Sequence, residues 1–132
     1  MDTAISLSTR SLQFFVLGRR WQSDLEFFKL ETNFLQRLIR EYTLDLPDSA
    51  LLKIAGRNLI KLKEDSRQTD VILDEQLKQL ELMAEDIIPE NTAEISVVQV
   101  QLEYLMVNLT KEYRAVKREI FKLIEGSSLK TT

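Results

Sequence analysis

The side chains that could do chemistry in this chain of 132 residues are carboxylates, hydroxyls and amines, because it contains no cysteine and no histidine. That excludes thiolate nucleophiles, serine–histidine pairs and zinc sites built from cysteine or histidine. It also excludes a ferritin-like di-iron site, which needs a Glu-x-x-His motif. No predicted helix contains a Glu-x-x-Glu or Glu-x-x-Asp pair, the spacing that puts two carboxylates on one face. We therefore expect no metal, no cofactor and no catalytic residue.

Glu31 is the carboxylate with the most unusual position. On a helical wheel of ~100° per residue it falls near the middle of an apolar arc that includes Phe27, Phe34 and Leu35. A carboxylate in such surroundings needs a partner or a raised pKa. It could be a catalytic or ligand-binding acid. We favour a buried ion pair with a base of the second or third helix, or a place at a subunit boundary.

Apolar residues recur at alternating steps of three and four in three stretches, a heptad pattern typical of coiled-coil packing. The pattern predicts helices over about 19–43, 48–87 and 92–125. Pro47 and Pro89 separate them, and Asn91 with Glu94 has the spacing of a capping box. Short loops make successive helices antiparallel neighbours.

The predicted fold is therefore all-α. We expect one domain over residues 1–132, an antiparallel up-down-up bundle of three long helices, with loose tails over 1–10 and 127–132. Residues 11–18 have two interpretations: they extend the first helix, or they fold back over the third. Dimerisation would complete the fold as a larger bundle.

The first and third helices carry more apolar surface than a three-helix core needs. Opposite its main seam, the third helix has a second stripe formed by Val97, Val100, Tyr104 and Val107. The first helix adds an aromatic face that includes Trp21, Phe27 and Phe34. Either residues 12–17 cover the stripe or a second chain does. We favour the second chain and predict a homodimer whose interface uses these seven residues.

Charge is distributed unevenly along the chain. Residues 64–94 contain ten acidic and two basic residues, whereas basic residues gather at the other end of the predicted bundle. That basic patch consists of Arg57, Lys61, Lys111, Arg114 and Arg118. A solvated surface is the ordinary explanation, and an anionic partner such as a nucleic acid or an acidic membrane surface is the alternative.

These patterns favour a non-catalytic interaction or scaffold protein that self-associates. The alternatives are a small regulatory module that binds an anionic partner through its basic end, and an enzyme with an acid at Glu31. The first residues lack the basic segment and the apolar run of a signal peptide, and no run is long enough for a transmembrane helix. We therefore expect a cytoplasmic protein.

Overall fold

The protein consists of three long helices. The computed structural model describes the backbone of residues 7–130 and the side chains of residues 7–126. Helix α1 spans Thr9–Asp45, α2 spans Ala50–Ala84 and α3 spans Thr92–Lys130. Each helix contacts the other two, and the described residues form no strand. The prediction of an all-α bundle of three long helices is confirmed.

Contacts between the helices follow a consistent order along the chain. A Cβ built on Gly18 of α1 would lie 2.8 Å from Cδ2 of Leu77, near the end of α2. Farther along α1, Asn33 accepts a hydrogen bond from Lys63 Nζ at 2.8 Å. An early residue of α1 thus contacts a late residue of α2, and a later residue of α1 contacts an earlier one of α2.

Helix α1 begins ten residues earlier than the heptad pattern predicted. Ser8 is its N-cap, and the Ser8 hydroxyl accepts a hydrogen bond from the backbone N–H of Ser11. Residues 11–18 therefore extend α1 and do not fold over α3. Gly18 does not interrupt the helix because it is buried where α1 approaches α2 closely, and a larger residue would require Leu77 to shift.

Helix α2 ends at Ala84, three residues before the predicted end at Ile87. The N–H of Ile87 donates to Leu82 O and that of Asp86 to Met83 O, the hydrogen-bond pattern of a Schellman motif. Asp86 occupies the left-handed position that this motif requires, with φ 58°. Sequence reasoning missed this end because the position is usually a glycine.

Helix α3 continues through Gly126 to Lys130, beyond the predicted end at residue 125. Thr9 and Arg10 of the predicted N-terminal tail belong to α1. Residues 1–6 and 131–132 of the predicted tails lie outside the described residues.

The core lies along the seams where the three helices meet. Leucine and isoleucine side chains fill it, and each large side chain of this kind contributes about 1.5–3 kcal/mol when fully buried. The most deeply buried of them are Leu35, Leu59, Leu73, Leu80, Leu102 and Ile120. One polar contact crosses the core: Gln76 Nε2 donates to Ile95 O at 2.9 Å and to Gln99 Oε1 at 3.3 Å. This contact ties α2 to α3 in one register.

Candidate interaction surface

The outer face of α3 carries an apolar stripe that the bundle leaves uncovered. Val97 is 71% exposed, Val100 67%, Tyr104 67% and Val107 49%. We call these four residues the α3 stripe. Their spacing puts them on one side of the helix, opposite the buried side chains of the same helix. The α3 stripe is therefore solvent-accessible in a single chain.

Helix α1 borders the α3 stripe but does not cover it. A shallow groove of about 440 Å³ separates the two helices. It is lined by Leu17, Trp21 and Asp24 on α1 and by residues that include Glu103, Val107 and Arg114 on α3. The intramolecular explanation for the stripe, coverage by residues 12–17, is therefore wrong.

The aromatic residues of α1 divide into a buried and an exposed set. Trp21, predicted at the interface, instead lies in the core at 8% exposed, so its side chain is not available to a partner. Phe27 is 55% exposed and Phe34 49%, and between them Leu30 is 70% exposed. We call these three exposed residues the α1 patch.

The α1 patch lies at a different level of the bundle from the α3 stripe. Its level is fixed by Phe28 of α1, whose ring centroid lies 4.8 Å from that of Tyr113 on α3. Tyr113 follows Val107 by six residues, or ~9 Å along the helix. The two exposed surfaces are therefore offset along the bundle, so a partner on one need not contact the other.

Glu31 forms an ion pair, as predicted, but it is not buried. Its Oε1 lies 2.9 Å from Nζ of Lys117 on α3. The Glu31 side chain is 25% exposed and that of Lys117 39%. The helical wheel predicted more burial for Glu31 than the structure shows. The reason is that α1 packs against only two helices, so part of the apolar arc of α1, including the α1 patch, faces solvent. The ion pair joins α1 to α3 at the edge of their contact.

The predicted basic patch is fully on the surface. Arg57 and Lys61 are exposed on α2, and Lys111, Arg114 and Arg118 are exposed on α3. Among the described side chains, none of these five has an ion-pair partner, whereas Lys117 is paired with Glu31. The three cations of α3 directly follow the α3 stripe along the same outer face.

The loop between α2 and α3 gathers negative charge at the opposite end. Glu90 in this loop accepts four hydrogen bonds: from Ser8 N at 2.9 Å, Ser8 Oγ at 2.6 Å, Ser11 Oγ at 2.8 Å and Thr92 Oγ1 at 2.8 Å. These donors, those of Ser8 first, lower the pKa of Glu90 to about 2. Glu90 therefore stays charged near neutral pH and ties the start of α1 to the loop.

Sequence reasoning missed the role of Glu90. Three of its four hydrogen bonds come from Ser8 and Ser11, which are 82 and 79 residues away along the chain, and only the bundle brings these residues together. The nearest sequence signal is the cluster of hydroxyl residues between 6 and 11, which is typical of a helix N-cap. Such a cluster does not indicate which distant residue contacts the N-cap.

Two other kinds of site are absent from the described residues. No group of three or more aspartate or glutamate side chains among them is arranged to hold a metal ion. None of the three helices, as far as the structure describes them, has a segment both long and apolar enough to cross a membrane.

Comparison with known proteins gives no match: no family model, no curated protein and no solved structure is similar to this chain. Any function must therefore be argued from the surfaces described above.

Proposed function

We propose that this protein is a non-catalytic interaction protein that self-associates as a homodimer through the α3 stripe. The observation that carries the proposal is the exposure of four apolar side chains in one row, from Val97 at 71% to Val107 at 49%. Isolated exposed apolar residues are common on soluble proteins, but a contiguous row marks a binding surface more often.

The composition around the stripe supports the same proposal. Between Ile95 and Thr110 of α3 the only charged residue is Glu103. Depletion of charge is characteristic of the core of a protein interface. Tyr104 is a suitable anchor, because its ring adds apolar area while its hydroxyl can stay hydrated. A two-fold axis brings the same surface of both chains together, which is how most homodimers close.

The experiment that tests the proposal is a pair of like-charge substitutions on the stripe, Val100→Glu with Tyr104→Glu, which puts carboxylates on both sides of the interface. Both positions are exposed, so the separated chain should keep its helix content and the thermal midpoint that the natural chain has when dilution disperses its dimers. We expect the mass in solution, measured by sedimentation equilibrium, to fall from that of two chains to that of one.

The matched control is Leu30→Glu on the α1 patch, an equally exposed apolar residue of another helix. The account predicts an unchanged mass for this variant. If Leu30→Glu splits the dimer and the stripe variant does not, the interface lies on α1 and the proposal is wrong.

A second candidate function is supported by the unpaired cations of the basic patch. Arg57 and Lys61 on α2 lie away from the α3 stripe and are exposed, so an anionic partner could use them without disturbing a dimer. Its test is binding to a generic polyanion such as heparin. Binding that weakens steeply with salt and is reduced by Arg57→Gln with Lys61→Gln would support it. Binding that does not depend on these residues would contradict it.

A further inference from the structure

The outer face of α3 changes character halfway along the helix. Its first half is the α3 stripe, and its second half carries Lys111, Arg114 and Arg118, none of which has an ion-pair partner among the described side chains. The loop before α3 and the first turn of α3 together form an acidic segment, residues 85–94, that contains Glu85, Asp86, Glu90 and Glu94. We call it the acidic loop. An apolar stretch is thus flanked by acids on one side and by bases on the other.

The geometry points to an antiparallel dimer in which the outer faces of two copies of α3 cross at the level of residue 102 along the helix, and the basic half of each α3 meets the acidic loop of the other copy. This inference rests on the proposed function, since it specifies how the second copy binds to the α3 stripe.

The spacing of the α3 stripe is the first argument. Its steps of three, four and three are the same in both directions, so the stripe of one chain fits an inverted second stripe without a gap. In that register Val97 lies level with Val107 of the second copy, and Val100 with its Tyr104. Facing layers of this kind are how antiparallel helices pack their apolar seams.

Charge complementarity is the second argument. In the same register Lys111 lies level with residue 93 of the second copy, next to its Glu94. Arg114 and Arg118 extend past Thr92, the first residue of that α3, towards the end of the bundle that carries the acidic loop. A parallel dimer with the same stripe would instead place each of the three cations beside its own counterpart. Like charges in an interface are costly and opposite charges orient it, so the charge pattern selects the antiparallel arrangement.

The area needed for a stable dimer is the third argument. A stable complex buries about 800 Å² on each partner, and four side chains over three turns supply only part of that. Contact between the basic half of α3 and the acidic loop extends the interface at both ends, because the two-fold axis produces it twice. A parallel pair gains no such extension.

Disulfide mapping tests the orientation directly, because the natural chain contains no cysteine. We would prepare Val97→Cys, Val107→Cys and the double variant carrying both, oxidise each at equal concentration, and map the disulfides by mass spectrometry of peptides. A disulfide requires Cα atoms within ~7 Å. In the antiparallel register, residue 97 lies ~15 Å along the helix from its own counterpart.

The expected result is that the double variant becomes covalently dimeric, with residue 97 joined to residue 107 of the other chain. Each single variant is expected to form no disulfide between chains. Residues 97 and 107 of one helix are too far apart to join each other. Efficient disulfides in each single variant would overturn the antiparallel register while leaving the homodimer intact.

Two further results would overturn the inference. A mass of one chain for the reduced double variant and for the unmodified protein would contradict the proposed function as well. A mass of two chains without a disulfide in any variant would place the interface away from the α3 stripe.

Discussion

The two faces of α3 are built from the same kind of residue at the same spacing, yet the fold treats them differently. The inner face presents Leu102 and Ile120, from which solvent is fully excluded, and the outer face presents Val100 and Tyr104, each 67% exposed. Helical periodicity alone therefore shows that α3 has two apolar faces but does not say which of them the chain itself covers. Within one chain only the inner face stabilises the fold. The outer face has apolar surface left for another molecule.

The largest effect expected from this comparison is on the inner face. Leu102→Ala removes a fully buried side chain and leaves a cavity, so we expect the free energy of unfolding to fall by about 2–5 kcal/mol. The measurement is urea unfolding followed by circular dichroism. Val100→Ala on the outer face is the control, and when dimers are dispersed by dilution its effect should stay within about 0.5 kcal/mol. Equal losses for the two variants would show that the faces do not differ.

A smaller effect is expected where the inner face is polar. Gln76→Ala removes the donor that reaches Ile95 O and Gln99 Oε1, so two buried acceptors each lose a hydrogen bond. We expect a loss of about 1–3 kcal/mol in the free energy of unfolding, the cost of leaving a buried polar group unsatisfied. The replacement Gln76→Leu tests whether the contact specifies register. If that variant is as stable as the natural chain and equally well ordered by NMR, the polar contact is dispensable.

The acidic end of the bundle should respond to pH. The hydrogen bonds from Ser8, Ser11 and Thr92 lower the pKa of Glu90 from its ordinary 4.5 to about 2 in the folded state. The stability that Glu90 contributes is therefore complete above pH 4.5 and is lost as the pH falls towards 2. We expect Glu90→Gln to lower the thermal midpoint at pH 7 and to make the midpoint less dependent on pH between 4.5 and 2.

The matched control for Glu90→Gln is a carboxylate to which the described side chains donate no hydrogen bond. Glu103→Gln on the rim of the groove beside α1 is a suitable control. If both variants show the same pH dependence as the natural chain, the cluster of donors around Glu90 does not stabilise the fold.

The smallest effect is expected at the edge between α1 and α3. Glu31 and Lys117 are both partly exposed, and ion pairs of this kind contribute at most about 1 kcal/mol. We therefore expect Glu31→Ala to change the free energy of unfolding by less than that, with Lys117→Ala giving a similar value. A loss of several kcal/mol in the Glu31 variant would mean that the carboxylate is effectively buried, as the helical wheel had indicated.

The heptad pattern predicted the fold and the seams well because core burial follows the helical period directly. Leu25, Leu35 and Ile39 lie in the core at the spacing that the sequence indicated. The helix ends were predicted less well. The start of α1 depends on the packing of Gly18 against α2, and the end of α2 depends on Asp86 in a left-handed conformation.

The candidate site was predicted in part, for a related reason. The spacing found the α3 stripe but could not tell whether residues 11–18 would cover it, since a continued helix and a folded-back segment are consistent with the same residues. The same spacing grouped Trp21 with Phe27 and Phe34, although Trp21 is buried and the two phenylalanines are exposed. Contacts between distant segments, such as Ser8 with Glu90, leave no periodic signal.

The most direct test of the central claim, that the outer face of α3 is an interface between two copies, is the mass of the unmodified protein in solution. Light scattering at roughly tens of micromolar, a range in which a moderately tight dimer is populated, should give about twice the chain mass of 15.4 kDa. A mass of one chain throughout that range would contradict the account.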